Sequence, residues 1–360
     1  SVKLCSKPPM GILYYKFPAW CERIVGEIVY RMFFNTSKEF DNIMDLSKDQ
    51  KREKFSKYEK LDEQGDGFKA AANIIVPIIL SNKKIILLDE PEAFLHPQQA
   101  ELFGDWIGNN SSINTQIFIA THSASFLSGV LRNNSNVTIY RFTRKEKDTK
   151  VIQIPSNKIN QLISNPILSS QFIHESLFYD KVILCEGQSD RLFYQTCFKK
   201  LFPNKIPPLF IQCLGKDQFK NIIPLLSGLD IDLRIIADFD ILNSPDHDLT
   251  TLFGDIISEN PEQINNKHKS IFSSYDENKL KDIKEHGING IDEKERNLVN
   301  QILCDLKKEG IFIVPVGKLE SWIQHENNGM DNWMVQSLNK ISKVENIPPP
   351  LKDFLISIST

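Results

Sequence analysis

The sequence predicts an α/β protein built as two successive units of alternating strands and helices. Three observations carry that expectation. Short apolar runs end abruptly in polar residues, as in "KKIILLDE" and "NTQIFIATHS"; helix-patterned segments such as "HPQQAELFGDWI" separate them; and the alternation starts afresh at "KVILCEG". Size agrees, since 360 residues with 41% apolar content suffice for two ordinary domains with their own cores.

Taken in order, residues 1–80 mix aromatic stretches, "GILYYKFPAW" and "YRMFF", with a basic run, "SKDQKREKFSKYEK", whose ordinary reading is a solvated helix face. Gly65-Asp66-Gly67 then lead into an apolar helix, followed by a buried strand "IILL", the helix "HPQQAELFGDWI", a buried strand "QIFIA" and the helix "ASFLSGVL". From 137 to 180 the character changes: strands "VTIYRF" and "KVIQI" flank the charged hairpin "TRKEKDTK", and a polar, proline-containing connection follows. A boundary near 178 is expected, with a first domain over 1–150 and a linker over 151–178.

Beyond the boundary come the strand "KVILC", the helix "SDRLFYQTCFKKLF", the strand "PLFIQCL", the helix "QFKNIIPLLSGL" and the strand "DLRIIADFD". A polar insertion over 256–309 with a charged helix leads to the last strand, "IFIVPVGKLES". Four strands alternating with helices predict a small parallel-type sheet over 179–345. The prolines of "NIPPP" are expected to stop helix formation and leave 346–360 as a tail. No internal repeat is visible.

The formal net charge of −3 does not announce nucleic acid, so such a partner needs a local basic patch or bound metal. No apolar run is long enough to span a bilayer. Six cysteines without CxxC spacing, and no signal peptide, are read as reduced thiols in a cytoplasmic protein. The chain opens at Ser1, without methionine, and reads as a fragment.

Ligands of open α/β sheets gather at the carboxyl ends of strands, and Asp89 and Glu90 stand there. In a nucleotide site the first carboxylate holds Mg²⁺ through water and the second orients the attacking water. Acids capping the next helix explain "LLDE" alone equally well. His122 ends the next strand, where an imidazole could meet a γ-phosphate, although a lone histidine there is more often structural. Gly65 and Gly67 offer bare backbone N–H groups at a helix N-terminus to phosphate oxygens.

In the second unit Glu186 ends the first strand, Gly187 allows a tight turn and Asp190 starts the helix, while Asp238 and Asp240 project to one side if their strand continues. Converging carboxylates repel unless cations neutralise them, and hard oxygen donors suit Mg²⁺ or Mn²⁺. Separate surface acids remain the simpler reading of the DxD alone. Lys318 and Glu320, past the last strand, are candidates to stabilise phosphate charge and to complete a metal shell; an exposed lysine beside a capping glutamate is the alternative.

The order glycine turn, "DEPEAFLHP" and "ATHS" resembles the C-terminal half of an ABC-type ATPase head of the RecF/SMC/OLD branch. Gly65 and Gly67 match its signature helix, Asp89 and Glu90 its Walker B pair, Leu95, His96 and Pro97 its D-loop region, and His122 its H-switch. No G-x-x-x-x-G-K-[ST] loop is present, and the expectation is that it belongs to an N-terminal segment missing from this chain. "EGQSD" with "DFD" resembles a Toprim domain, in which Gly215 and Lys216 match the turn after the second strand.

An ABC-type head followed by a Toprim domain, over roughly residues 60–345, resembles the OLD (overcoming lysogenization defect) family. The resemblance implies a metal-dependent DNA endonuclease. Glu186, Asp190, Asp238, Asp240 and Glu320 would hold one or two Mg²⁺ or Mn²⁺ ions, Glu186 and Lys318 would act on the phosphodiester, and Asp89, Glu90, His122, Gly65 and Gly67 would serve ATP with Mg²⁺, Glu90 as its catalytic residue. It further implies a homodimer or larger assembly, and a role in antiphage defence of the Gabija-like, PARIS-like or retron-associated kind. Partners there would be a helicase-like protein, a small sensor protein or a retron RNA–DNA. The basic run at 48–60 and the hairpin at 144–150 are candidate DNA contacts, solvated surface being the commoner reading of each residue. Two other readings use the same motifs: an SMC/RecF-like ATP-dependent DNA-binding scaffold that cleaves nothing, and a Toprim primase-like nucleotidyl transferase.

Overall fold

The computed structural model describes residues 65–80, 85–110, 116–132, 134, 136–145, 148–164, 171–243, 248–323 and 330–360. The basic run at 48–60 lies outside the described residues. Two compact units emerge, Ser1–Asn134 and Ser135–Thr360.

In the first unit, α1 (Asp66–Leu80) precedes β1 (Ile85–Asp89), α2 (Pro97–Asn110), β2 (Gln116–Ala120) and α3 (Ala124–Leu131). β1 and β2 pair in parallel with Asp89 opposite Ala120, so the two polar strand ends lie side by side. Both strands alternate in exposure instead of being buried throughout as expected: Leu87 is 75% exposed and Phe118 50%. The period of two explains this, because Ile85, Leu87 and Phe118 share a face on which the described residues place no cover.

The second unit opens with the antiparallel hairpin β3 (Ile139–Lys145) and β4 (Asp148–Ile154), then α4 (Ser156–Ser164) and α5 (Gln171–Ser176). The sequence reading ended the first domain at 150, within the hairpin; here the whole hairpin groups with the second unit, and Arg141 shows why. Its side chain is 5% exposed, and its guanidinium donates to the backbone oxygens of Leu177 (3.0 Å), Tyr179 (2.7 Å), Leu229 (3.3 Å) and Asp230 (2.8 Å) and reaches Asp180 Oδ1 at 3.2 Å. A planar five-donor fork is suited to such a bundle of acceptors. Replacing it with methionine keeps the bulk but strands several buried carbonyls. Arg141→Met should therefore lose about 2–4 kcal/mol of stability in urea denaturation; a loss under about 0.5 kcal/mol would show that water replaces the guanidinium.

The sheet that follows comprises β5 (Lys181–Cys185), β6 (Leu209–Gln212), β7 (Asp232–Ala237) and β8 (Ile311–Ile313), all parallel, in the order β6-β5-β7-β8. Helices α6 (Gln188–Leu201) and α7 (Phe219–Leu226) make the first crossovers, and α8 (Leu249–Phe253), α9 (Pro261–Phe272), α10 (Glu277–His286) and α11 (Glu293–Lys308) fill the insertion before β8. β5 and β7 are apolar and buried at their carboxyl ends, as strands covered on both faces must be. The chain leaves β5 toward β6 and then returns past it to β7, which makes the crevice between β5 and β7 the topological switch point.

Two expectations fail here. The strand does not continue through the DxD: β7 stops at Ala237, and Asp238 caps a 3₁₀ turn, Phe239–Leu242, whose apolar Phe239, Ile241 and Leu242 pull that turn into the core. Nor do the late prolines end helix formation. After α12 (Met330–Lys340) they begin α13 (Pro349–Ser359), because the first turn of a helix has no intrahelical use for the missing N–H. Leu351, Leu355 and Ile358 of α13 are completely buried in the core formed with Tyr194, Trp322 and Phe312. Each such side chain contributes roughly 1.5–3 kcal/mol, so the expected tail is part of the fold.

Candidate metal centre and nucleotide site

Every strand of the second sheet ends in a candidate residue. Glu186 follows β5 directly, Gly215 and Lys216 follow β6, Asp238 follows β7, and Lys318 and Glu320 follow β8. Backbone bonds tie these ends together: Gly215 N donates to Glu186 O (2.8 Å), and Phe239 N to Gly317 O (2.7 Å). Glu186 Oε1 accepts from Asp238 N at 2.9 Å, spanning the switch-point crevice. Asp190 closes the turn at the start of α6, its Oδ2 accepting from Gly187 N at 3.0 Å.

Burial and mutual repulsion raise these acids out of the ordinary carboxylate range. Burial lifts Glu186 to about 7, with Asp240 and Asp190 adding to the rise, and lifts Asp190 to about 6, helped by Glu320. Asp238 is pushed up to about 9 by burial and then by Glu186, Asp190, Asp240 and Glu320. The five carboxylates named from sequence thus feel one another across one end of the sheet.

Lysines already answer part of that charge. Asp240, 16% exposed, lies 2.9 Å from Lys284 Nζ through Oδ2 and 3.3 Å from Lys216 Nζ through Oδ1, and that Oδ1 is buried without a hydrogen bond. The Asp240 hydrogen bond and charge hold the Lys284 ammonium above its usual range. Lys318 is not free for a phosphate as it stands, since Glu285 takes it at 2.6 Å. Lys284 and Glu285 come from α10, inside a polar insertion with no motif in its sequence to draw notice.

As a divalent-ion site, the donors fit in kind: carboxylate oxygens, gathered, poorly solvated and mutually repelling. Among the described residues, however, no three His, Cys, Asp or Glu side chains converge as a finished cage.

In the first unit Asp89 ends β1, and Glu90 follows in the left-handed region (φ 45°) with its N–H donating to Ala120 O at 2.8 Å. This turn brings Glu90 Oε1 to 3.2 Å from His122 Nδ1, both side chains remaining well exposed. The second glutamate of "DEPE" behaves differently: Glu92 is buried and accepts from Thr121 Oγ1, whose oxygen in turn accepts from Ser123 N at 3.0 Å. Sequence reasoning did not separate the two. Gly67, in the first turn of α1, lies against the turn after β1, where a Cβ would stand 2.6 Å from Phe94 O, while Gly65 has open space around it. The structure thus joins Glu90 to His122 and seats Gly67 beside the segment leading to Leu95, His96 and Pro97.

Comparison with known proteins supports both units. Residues 32–128 match the family described as "AAA domain, putative AbiEii toxin, Type IV TA system", and residues 177–240 match "Overcoming lysogenization defect protein-like, TOPRIM domain". The chain is 28% identical to the Old nuclease of Escherichia phage P2 over 262 residues, covering 66% of this chain and 43% of that protein. It is 25% identical to the OLD nuclease of Thermus scotoductus (50% and 36% covered) and 26% identical to the Endonuclease GajA of Bacillus cereus (46% and 27% covered). The chain therefore spans less than half the length of these relatives.

Proposed function

We propose that this chain, which joins an ATPase domain to the Toprim domain of the OLD family, belongs to a metal-dependent DNA endonuclease controlled by ATP, serving as an effector of bacterial antiphage defence. The observation that carries the reading is the set of mutually repelling carboxylates at the β5/β7 switch point. Glu186, Asp190, Asp238, Asp240 and Glu320 would hold Mg²⁺ or Mn²⁺. Such ions, when bound, make water nucleophilic near neutral pH and stabilise the leaving oxygen of a phosphodiester.

The chain's own residues do the rest. Glu186, bonded to the Asp238 backbone, keeps the two strand ends in register. Lys318, on leaving Glu285, would bring a positive charge to the phosphate. In the head, Asp89 would hold the Mg²⁺ of ATP, Glu90 would orient the attacking water and His122, 3.2 Å from Glu90, would meet the γ-phosphate; a partner head would supply the Gly65–Gly67 turn, which calls for a dimer. Work in the cytoplasm, with a helicase-like, sensor or RNA–DNA partner, belongs to the same proposal.

One observation favours a second reading. Asp240 and Lys318 are both already paired, as suits an SMC/RecF-like scaffold that cuts nothing. Supercoiled plasmid incubated with the full-length protein, with Mg²⁺ or Mn²⁺ or EDTA and with or without ATP, separates the two. Metal-dependent nicking, lost in Glu186→Ala and in Lys318→Ala, is the expected result; intact plasmid under every condition favours the scaffold.

A further inference from the structure

The insertion between β7 and β8 puts a lysine where the carboxylates need a cation. α10 is locked at both ends of the site. Asn243 Nδ2, just past the DxD turn, donates to Leu280 O at 2.7 Å, and Ile288 N donates to Pro315 O at 3.0 Å. At the end of the helix the backbones nearly touch: a Cβ on Gly287 (φ +58°) would stand 2.2 Å from Pro315 O, and one on Gly317 (φ +108°) 2.7 Å from Lys284 O. Only glycine fits either place. These contacts fix the register of α10 against both the Asp238–Asp240 turn and the Lys318 loop, so the reach of Lys284 to Asp240 is built in.

We infer that Lys284 is a tethered counter-ion: it occupies Asp240 in the metal-free protein, competes with the divalent ion for that carboxylate, and must swing aside before the ion set closes. The inference rests on the metal reading of the site. An ammonium 2.9 Å from Asp240 Oδ2 supplies the charge an ion would bring without its coordination geometry, and a side chain about half exposed has a path outward. Lys216, at 3.3 Å and less exposed, is the secondary contact. The same helix turn holds Lys318 through Glu285, so one element restrains both the ion-side and the phosphate-side charges.

The test is calorimetric titration of Mn²⁺ into EDTA-treated full-length protein, comparing wild type, Lys284→Gln, Lys284→Arg and Asp238→Asn, each checked for cooperative unfolding. Lys284→Gln should bind at least about fivefold more tightly, Lys284→Arg should match wild type, and Asp238→Asn should bind poorly. Binding in Lys284→Gln but not in wild type would support the inference further. Equal or weaker binding by Lys284→Gln, with wild type and Lys284→Arg binding normally, overturns it while leaving the metal site standing. No heat from any form overturns the metal reading and this inference with it.

Discussion

Under the proposed nuclease function, Asp238→Asn should abolish DNA cleavage and make the protein in EDTA more stable. Partners that merely support a metal ligand are worth about 10–100-fold in activity, so if Asp238 is a ligand, as proposed, removing its charge should cost at least about 100-fold. The stability gain has a separate origin. Asp238 has an ordinary value of 3.8 and is raised to about 9 in the folded chain, chiefly by burial and the charge of Glu186. The folded state then binds the proton more tightly than the unfolded one, so the contribution of this group is fully present below about pH 4 and is lost as pH rises toward about 9. Asparagine has no proton to take up and keeps the backbone N–H that Glu186 accepts from.

The difference between variant and wild type in EDTA should accordingly be near zero at pH 4 and grow up to pH 9. Each unit is worth about 1.4 kcal/mol at most, and relaxation around the site reduces that. A gain of about 1–2 kcal/mol at pH 7, or roughly 2–8 °C in Tm, is expected. Asp232, Asp248, Asp305 and Glu309 are held below their ordinary values and destabilise the fold in acid, but they act equally on both proteins and cancel in the difference. Mn²⁺ should raise the wild-type Tm and leave the variant unmoved. A variant less stable than wild type at pH 8 would overturn the raised proton affinity of Asp238, and one still stabilised by Mn²⁺ would remove Asp238 from the metal set.

Much of this site is legible in the sequence because it sits at strand ends, and strand ends are marked where apolar runs break into polar residues. Glu186, Asp238 and Lys318 are found that way, and the β6-β5-β7-β8 order then brings them together. What escapes has a different origin. Lys284 and Glu285 lie on a charged amphipathic helix whose polar residues look like any solvated face, and only the close fit of Gly287 and Gly317 aims them at the site. The prolines of α13 mislead because the same residue breaks a helix interior and favours a helix start. The hairpin's allegiance turns on Arg141, an arginine that reads as surface in an alternating strand and is buried by carbonyls far along the chain.

The "DEPE" segment offers two glutamates, and geometry decides which should matter for ATP. Glu90 is exposed and faces His122 at 3.2 Å; Glu92 is buried and holds Thr121, the residue just before that histidine. In full-length protein, Glu90→Gln should keep the left-handed turn and ATP binding, yet lower hydrolysis by about 100- to 10,000-fold, the range for a residue handling the proton of an attacking water. Bound but unspent ATP should then hold two heads together, read as a nucleotide-dependent dimer by sedimentation. Glu92→Ala should do the reverse. It removes the acceptor of the Thr121 hydroxyl and should cost about 1–2 kcal/mol of stability, while turnover per folded molecule stays near wild type. Should Glu92→Ala silence hydrolysis in protein that is fully folded, while Glu90→Gln still turns over, the assignment must pass from the exposed carboxylate to the buried one, and the contact of Glu90 with His122 becomes a surface pair of no catalytic weight.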